Sequence, residues 1–63
     1  MINQYSEVKL TSSQYAEKGV KKGSVGYVID VYSDEHFDVE FSAQDGSTIA
    51  ILVLAKSEFE LCE

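Results

Sequence analysis

Proline, tryptophan and arginine are absent from this 63-residue sequence, and cysteine, histidine and methionine occur once each. A lone Cys62 excludes an internal disulfide framework and points to a reducing, cytoplasmic setting. One histidine and one cysteine are too few for a zinc centre. Without proline, punctuation falls to the four glycines, Gly19, Gly23, Gly26 and Gly46. The longest apolar run, Ile49 to Ala55, is far too short to cross a bilayer. Met1 to Tyr5 lacks the cationic patch and apolar stretch of a signal peptide. Length is itself a shortage: a chain this short buries only about 60% of its unfolded surface. Residues 1–63 therefore make a single domain with a thin core and little room for a deep cleft, which argues against most enzymes.

The chain is 44% hydrophobic, too apolar for a disordered tail, and its formal charge is −6. That charge is uneven. Residues 1–29 set Lys9, Lys18, Lys21 and Lys22 against Glu7 and Glu17, for +2; residues 30–63 set Lys56 against nine carboxylates, for −8.

Period-two alternation dominates. Ser6 to Leu10 reads as a short strand with Val8 and Leu10 inward. Thr11 and Gln14 have the spacing of a capping box, with one helical turn from Gln14 to Lys18 closed by Gly19 in a left-handed conformation. Lys21 to Ser24 reads as a turn, and Val25 to Tyr32 as a strand with Val25, Tyr27, Ile29 and Val31 on its inner face. Gly26 within it marks a bulge, a bend or a close backbone approach. Ser33 to His36 is a polar turn. Phe37 to Phe41 alternates strictly, with Asp38 and Glu40 outward. Asp45-Gly46 marks a hairpin connection. Ser47 to Leu54 is apolar on both faces, which places it centrally in a sheet, with Ile49, Ile51 and Val53 inward. Ala55 to Glu58 reads as a short 3₁₀ turn, and Phe59 to Leu61 as a last strand contributing Phe59 and Leu61. An open sheet of five short strands would leave bare edges and an uncovered apolar face. The expectation is an all-β chain: a small five-stranded SH3-like partly open barrel with one short helical turn after the first strand.

Gly23-Ser24-Val25-Gly26 followed by the alternating Tyr27 to Val31 resembles the pattern of SH3-like barrels of the KOW and Tudor type. The whole chain is similar to a family of short bacterial proteins classified only as a domain of unknown function. The shared features are Lys22 to Val28, Val39-Glu40-Phe41 and Gly46-Ser47-Thr48, within a match from about residue 5 to residue 61. These motifs imply a fold and carry no catalytic residue across. Members of such families can sit beside toxin genes as immunity proteins, so the resemblance brings that role into view.

No constellation reads as catalysis. His36 lies in a turn and Cys62 is penultimate, and neither is held in a dry pocket. Asp34, Glu35, His36 and Asp38 lack calcium-loop spacing, so no metal or other cofactor is expected. Lys18, Lys21 and Lys22 with Tyr15 and Tyr27 are the ingredients of a nucleic-acid patch, but the net charge repels phosphate. The informative feature is the acidic strip. Asp38 and Glu40 share a face, Asp30 can lie across from them, and Asp34 and Glu35 crown the adjoining turn. Charge of this kind serves solubility and edge protection. It also suits a docking surface for a cationic partner, with Tyr32 as aromatic anchor. The favoured expectation is a non-enzymatic, cytoplasmic protein-binding module whose acidic face of Asp30, Tyr32, Asp34, Glu35, Asp38 and Glu40 covers a basic protein, in the most concrete case a toxin. The alternatives are a KOW-like nucleic-acid-associated module using the Lys18–Lys22 loop, and a small homo-oligomer pairing through a strand edge. The chain is otherwise expected to be a monomer or weak homodimer.

Overall fold

The computed structural model describes residues 2–62. Five strands, β1 (Glu7–Leu10), β2 (Val25–Val31), β3 (His36–Ser42), β4 (Thr48–Ala55) and β5 (Phe59–Leu61), form one antiparallel sheet in the order β4-β3-β2-β1-β5. Among the described residues the only helical pieces are 3₁₀ turns at Ala16–Lys18 and Lys56–Glu58. The expected meander of β2, β3 and β4 is present, and β5 returns to pair with β1. The sheet curls on itself without closing. Its curl brings Phe37 of β3 against Phe59 of β5, edge to face at 5.4 Å between centroids, although two strands separate them in the sheet.

The buried side chains are Val8 and Leu10 (β1), Val20, Val28 (β2), Phe37, Val39 and Phe41 (β3), Leu52 and Leu54 (β4), and Phe59 (β5). The expected faces of β1 and β3 hold. Those of β4 and of β2 before Ile29 are reversed: Val25, Tyr27, Ile49, Ile51 and Val53 are exposed and Ile29 is half-buried, while Val31 keeps its expected side but is exposed. Leu61 is exposed as well. β4 is an edge strand rather than a central one.

One physical cause accounts for both reversals. Leaving the β3–β4 hairpin, Ser42 faces Thr48, but the next pair is Phe41 with Ala50, so Ile49 bulges out of register. Beyond that point Val39 faces Leu52 and Phe37 faces Leu54. In β2, Val31 faces Phe37 and Asp30 faces Asp38, and then Val28 faces Val39 with Ile29 as the extra residue. A single inserted residue turns every later side chain to the opposite face. Val31 stays on the core side of its bulge but sits at the end of the barrel, where little covers it.

Gly26 is buried opposite Phe41. A Cβ there would stand 2.7 Å from the Glu40 carbonyl oxygen and 2.8 Å from the Phe41 ring, so the position is a close approach, with the bulge three residues later. Gly19 does close the first 3₁₀ turn with φ +85°, its N–H donating to the Ala16 carbonyl. The capping box on Thr11 does not form. The Gln14 N–H donates to Ser12 Oγ, and the Gln14 side chain donates to Glu58.

Candidate functional site

The outward face of β2, β3 and β4 carries the acidic residues, and cross-strand register arranges them in two rows. Tyr27, Glu40 and Ile51 stand side by side in one row, with Glu7 of β1 extending it beyond Tyr27. Asp30, Asp38 and Val53 form the other. Asp38 and Glu40 thus make a central acidic column on β3, flanked on one side by Ile51 and Val53, which are 53% and 56% exposed.

Specific bonds hold these side chains. The Tyr32 hydroxyl donates to Asp38 Oδ2 at 2.6 Å. That bond, with slight desolvation and the charges of Asp38 and Asp30, raises the phenol above its ordinary pKa of 10.0 and keeps it a donor. The Thr48 hydroxyl donates to Glu40 Oε2 at 2.6 Å. Asp30 Oδ1 accepts the neighbouring Val31 N–H at 2.9 Å. The Tyr27 hydroxyl reaches Glu7 Oε1 at 3.4 Å. Asp30 and Asp38, directly opposed, are like charges on adjacent strands, an arrangement that destabilises a sheet by a few tenths of a kcal/mol.

Four of the six expected residues, Asp30, Tyr32, Asp38 and Glu40, therefore share this face. Asp34 and Glu35 are exposed in the β2–β3 turn. Asp34 borders a hollow lined by Ile2, Val31, Phe37 and Lys56. Glu35 borders another with His36, Ala55, Lys56 and Ser57. The two turn acids are thus associated with Lys56 at the end of the sheet.

Glu58, read from sequence only as part of a turn, is the most heavily bonded carboxylate among the described residues. Its Oε2 accepts the Tyr15 hydroxyl at 2.6 Å and the Gln14 amide, and its Oε1 accepts the Ala55 N–H at 2.9 Å. It clasps the β1–β2 loop to the turn before β5. Partial burial pushes its pKa up, but the bonds from Tyr15, Ala55 and Gln14 and the nearby His36 outweigh that and hold it below the ordinary carboxylate value. The sequence around it does not announce the clasp, because two of its three partners, Gln14 and Tyr15, lie more than forty residues away, and only the Ala55 N–H is local.

Among the described residues no three His, Cys, Asp or Glu side chains converge as a metal site. No helix among them is long and apolar enough to cross a membrane. Cys62 is half-buried, and desolvation with the charge of Glu7 raises its thiol pKa. Lys18, Lys21 and Lys22 are exposed, but the aromatic residues grouped with them are engaged elsewhere, Tyr15 with Glu58 and Tyr27 with Glu7.

Comparison with curated proteins and with solved structures finds no match. A family model does match residues 5–61, the span on which the glycine and Val-Glu-Phe motifs fall. With nearly the whole chain covered, the protein belongs to the family described as Domain of unknown function (DUF4926).

Proposed function

We propose that this protein is a non-enzymatic binding module that covers a basic protein surface with the outward face of β2 and β3. The observation that carries the reading is the pairing of Asp30 with Asp38 on adjacent strands, with the Tyr32 hydroxyl fixed on Asp38. Charge serving solubility alone is best spread out. Opposing two carboxylates costs stability and concentrates the field at one place. A guanidinium or ammonium group arriving between them relieves the repulsion, so the unfavourable term in the free protein becomes a favourable one in the complex. Tyr32, 59% exposed and held by its hydroxyl, offers an ordered ring beside the charges. Asp34 and Glu35, in the adjoining turn, add long-range attraction. The most concrete form of this function is an immunity or inhibitor protein that occludes the basic active site of a toxin, by charge mimicry and with no chemistry of its own. In such a role the protein works in the cytoplasm.

The test is a pull-down with the immobilised chain, set beside the Asp38→Lys, Glu40→Lys double variant. A basic partner is expected to be retained by the native chain, released by salt and lost to the variant. An unchanged partner profile for a variant with a native circular dichroism spectrum removes the proposal. The nucleic-acid reading through Lys18–Lys22 has less support, because Tyr27 stands between Glu7 and Glu40, whose charges repel phosphate, and Tyr15 is tied to Glu58. An RNA mobility shift that survives physiological salt would restore it.

A further inference from the structure

We propose that β4 is a self-pairing edge: two copies of this chain join antiparallel through Ile51 and Val53, about a two-fold axis at Leu52. This goes beyond the acidic-face reading and does not depend on it. The argument starts from backbone parity. The Lys56 N–H donates to the Glu35 carbonyl at 3.2 Å. In an antiparallel ladder the residues bonded to one neighbour alternate with those that face away. Counting back from Lys56, Leu54, Leu52 and Ala50 bond to β3, opposite Phe37, Val39 and Phe41. The β2–β3 ladder agrees, since the Tyr32 N–H donates to the His36 carbonyl, which assigns the alternate residues of β3 to β2. Ile51 and Val53 consequently aim their N–H and C=O groups at the open edge.

The ends of the strand are closed off. The Ala55 N–H is taken by the Glu58 carboxylate. At the other end, Ile49 lies close to Gly19, where an added Cβ would be 3.1 Å from Ile49 Cγ2. Among the described residues no backbone bond from outside the sheet reaches residues 51–53. The usual protections of an edge are missing there, since Thr48–Ala55 contains no charge and no proline, and its bulge lies only at the start.

A second copy fits this edge in one register. With the two-fold axis at Leu52, Ile51 of each chain faces Val53 of the other. Both belong to the outward-aimed set, so each pair exchanges two backbone hydrogen bonds. The exposed side chains of Ile51 and Val53 then meet their counterparts in one apolar cluster on the outer face. An edge contact of this length falls in the class of small, weak interfaces below about 1,200 Å². Association is therefore expected on the order of 100 µM. The acidic β3 strands of the two copies would stand three strand spacings apart, about 14 Å. At low salt the screening length, between about 10 and 30 Å below about 0.1 M, reaches across that spacing and the strands repel; in high salt it shrinks to a few Å, so added salt strengthens the dimer. A cationic partner on the acidic face responds to salt in the opposite direction.

The experiment is sedimentation equilibrium of the native chain from about 10 µM to about 1 mM, at about 50 and 500 mM NaCl. The apparent mass is expected to rise from 7.0 kDa toward twice that value, and to do so at lower concentration in high salt. Val53→Pro removes an N–H that faces the open edge and leaves the β3 ladder intact. It is expected to weaken association at least about tenfold. Should Val53→Pro lack a native spectrum, Val53→Lys, a charge on the edge, is read the same way. A constant 7.0 kDa at the highest concentration overturns the proposal. So does a folded variant that associates like the native chain, or a mass that grows past the dimer, since a two-fold contact closes on itself.

Discussion

Gly26→Ala is the sharpest probe of how closely β2 and β3 approach. The position has ordinary backbone angles and lies inside a strand, so alanine by itself should stabilise the chain by about 0.4–1 kcal/mol through the unfolded state. Space opposes this. The new methyl would sit 2.7 Å from the Glu40 carbonyl oxygen and 2.8 Å from two carbons of the Phe41 ring. The ring can rotate only into a packed core, and the carbonyl belongs to the paired strand, so β2 and β3 must separate locally. Overpacking of this kind costs about 1–3 kcal/mol, or more where backbone must move. Set against the entropic gain, the net expectation is a loss of about 2 kcal/mol. For a domain of this size each kcal/mol corresponds to about 4–8 °C in Tm. Thermal and urea unfolding followed by far-ultraviolet circular dichroism measures it, there being no tryptophan to follow. Phe41→Leu in the Gly26→Ala background relieves the ring contact and not the carbonyl contact. Phe41→Leu alone leaves a cavity in the core, but part of that cost is offset where the alanine methyl is present, so the two substitutions together should cost less than their sum. A Gly26→Ala chain as stable as the native one refutes the close-approach argument.

Two further perturbations test the clasp and the N-terminal turn. Glu58→Gln should cost about 1 kcal/mol, the value of charge-assisted bonds discounted for partial exposure. Because the folded pKa of Glu58 lies below its ordinary value, the stabilisation is complete above that value and fades as pH falls through the folded pKa. Native and variant stabilities should therefore converge in acid, and a constant gap across an acid titration of urea midpoints would contradict the assignment. Tyr5 has φ +71°, in a turn closed by the Ser6 N–H on the Asn3 carbonyl, and its ring is 72% exposed. Tyr5→Gly should therefore raise stability by relieving a left-handed strain of about 1 kcal/mol, and a lowered Tm would mean that the ring packs usefully after all.

Element by element, the fold was legible in the sequence wherever a residue has one physical option. Strict alternation from Phe37 to Phe41 leaves β3 a single inner face, and that face is the observed one. Gly19 and Gly46 both end turns with left-handed angles. The strands with apolar residues on both faces, β2 and β4, had no such constraint, and a regular hairpin register from either turn places Ile51, Val53, Tyr27 and Ile29 inside. The bulges at Ile29 and Ile49 reverse that assignment, and a bulge at a β-branched residue leaves no local mark. Val20 was missed because one apolar residue in a polar loop has no period, yet it is fully buried. Of the candidate site, the outward direction of Asp38 and Glu40 follows from alternation and the pairing of Asp30 with Asp38 from the register set at the β2–β3 turn, whereas the pairing of Tyr27 with Glu40 lies beyond the bulge and depends on it.

The two bulges that defeat the pattern also decide what the exterior can do. They put Ile51 and Val53 beside the acidic column of β3 instead of under it, and leave Tyr27 on its other flank. A carboxylate on a wholly polar surface is hydrated from every side, and an exposed ion pair formed there is worth little. Here the apolar column keeps water from one flank of Asp38 and Glu40, and a partner that also covers that column excludes more. The attraction of a bound cation to these carboxylates then operates at a lower effective dielectric than it would on an open surface. On the proposed reading, charge governs the rate of encounter and the apolar flank governs residence. Salt should therefore slow association of the cationic partner far more than it speeds dissociation, and truncating Ile51 to alanine should do the reverse. Because Ile51 also lies on the edge proposed to pair with a second copy, the two associations compete for it, and raising the chain's own concentration in high salt should reduce partner capture.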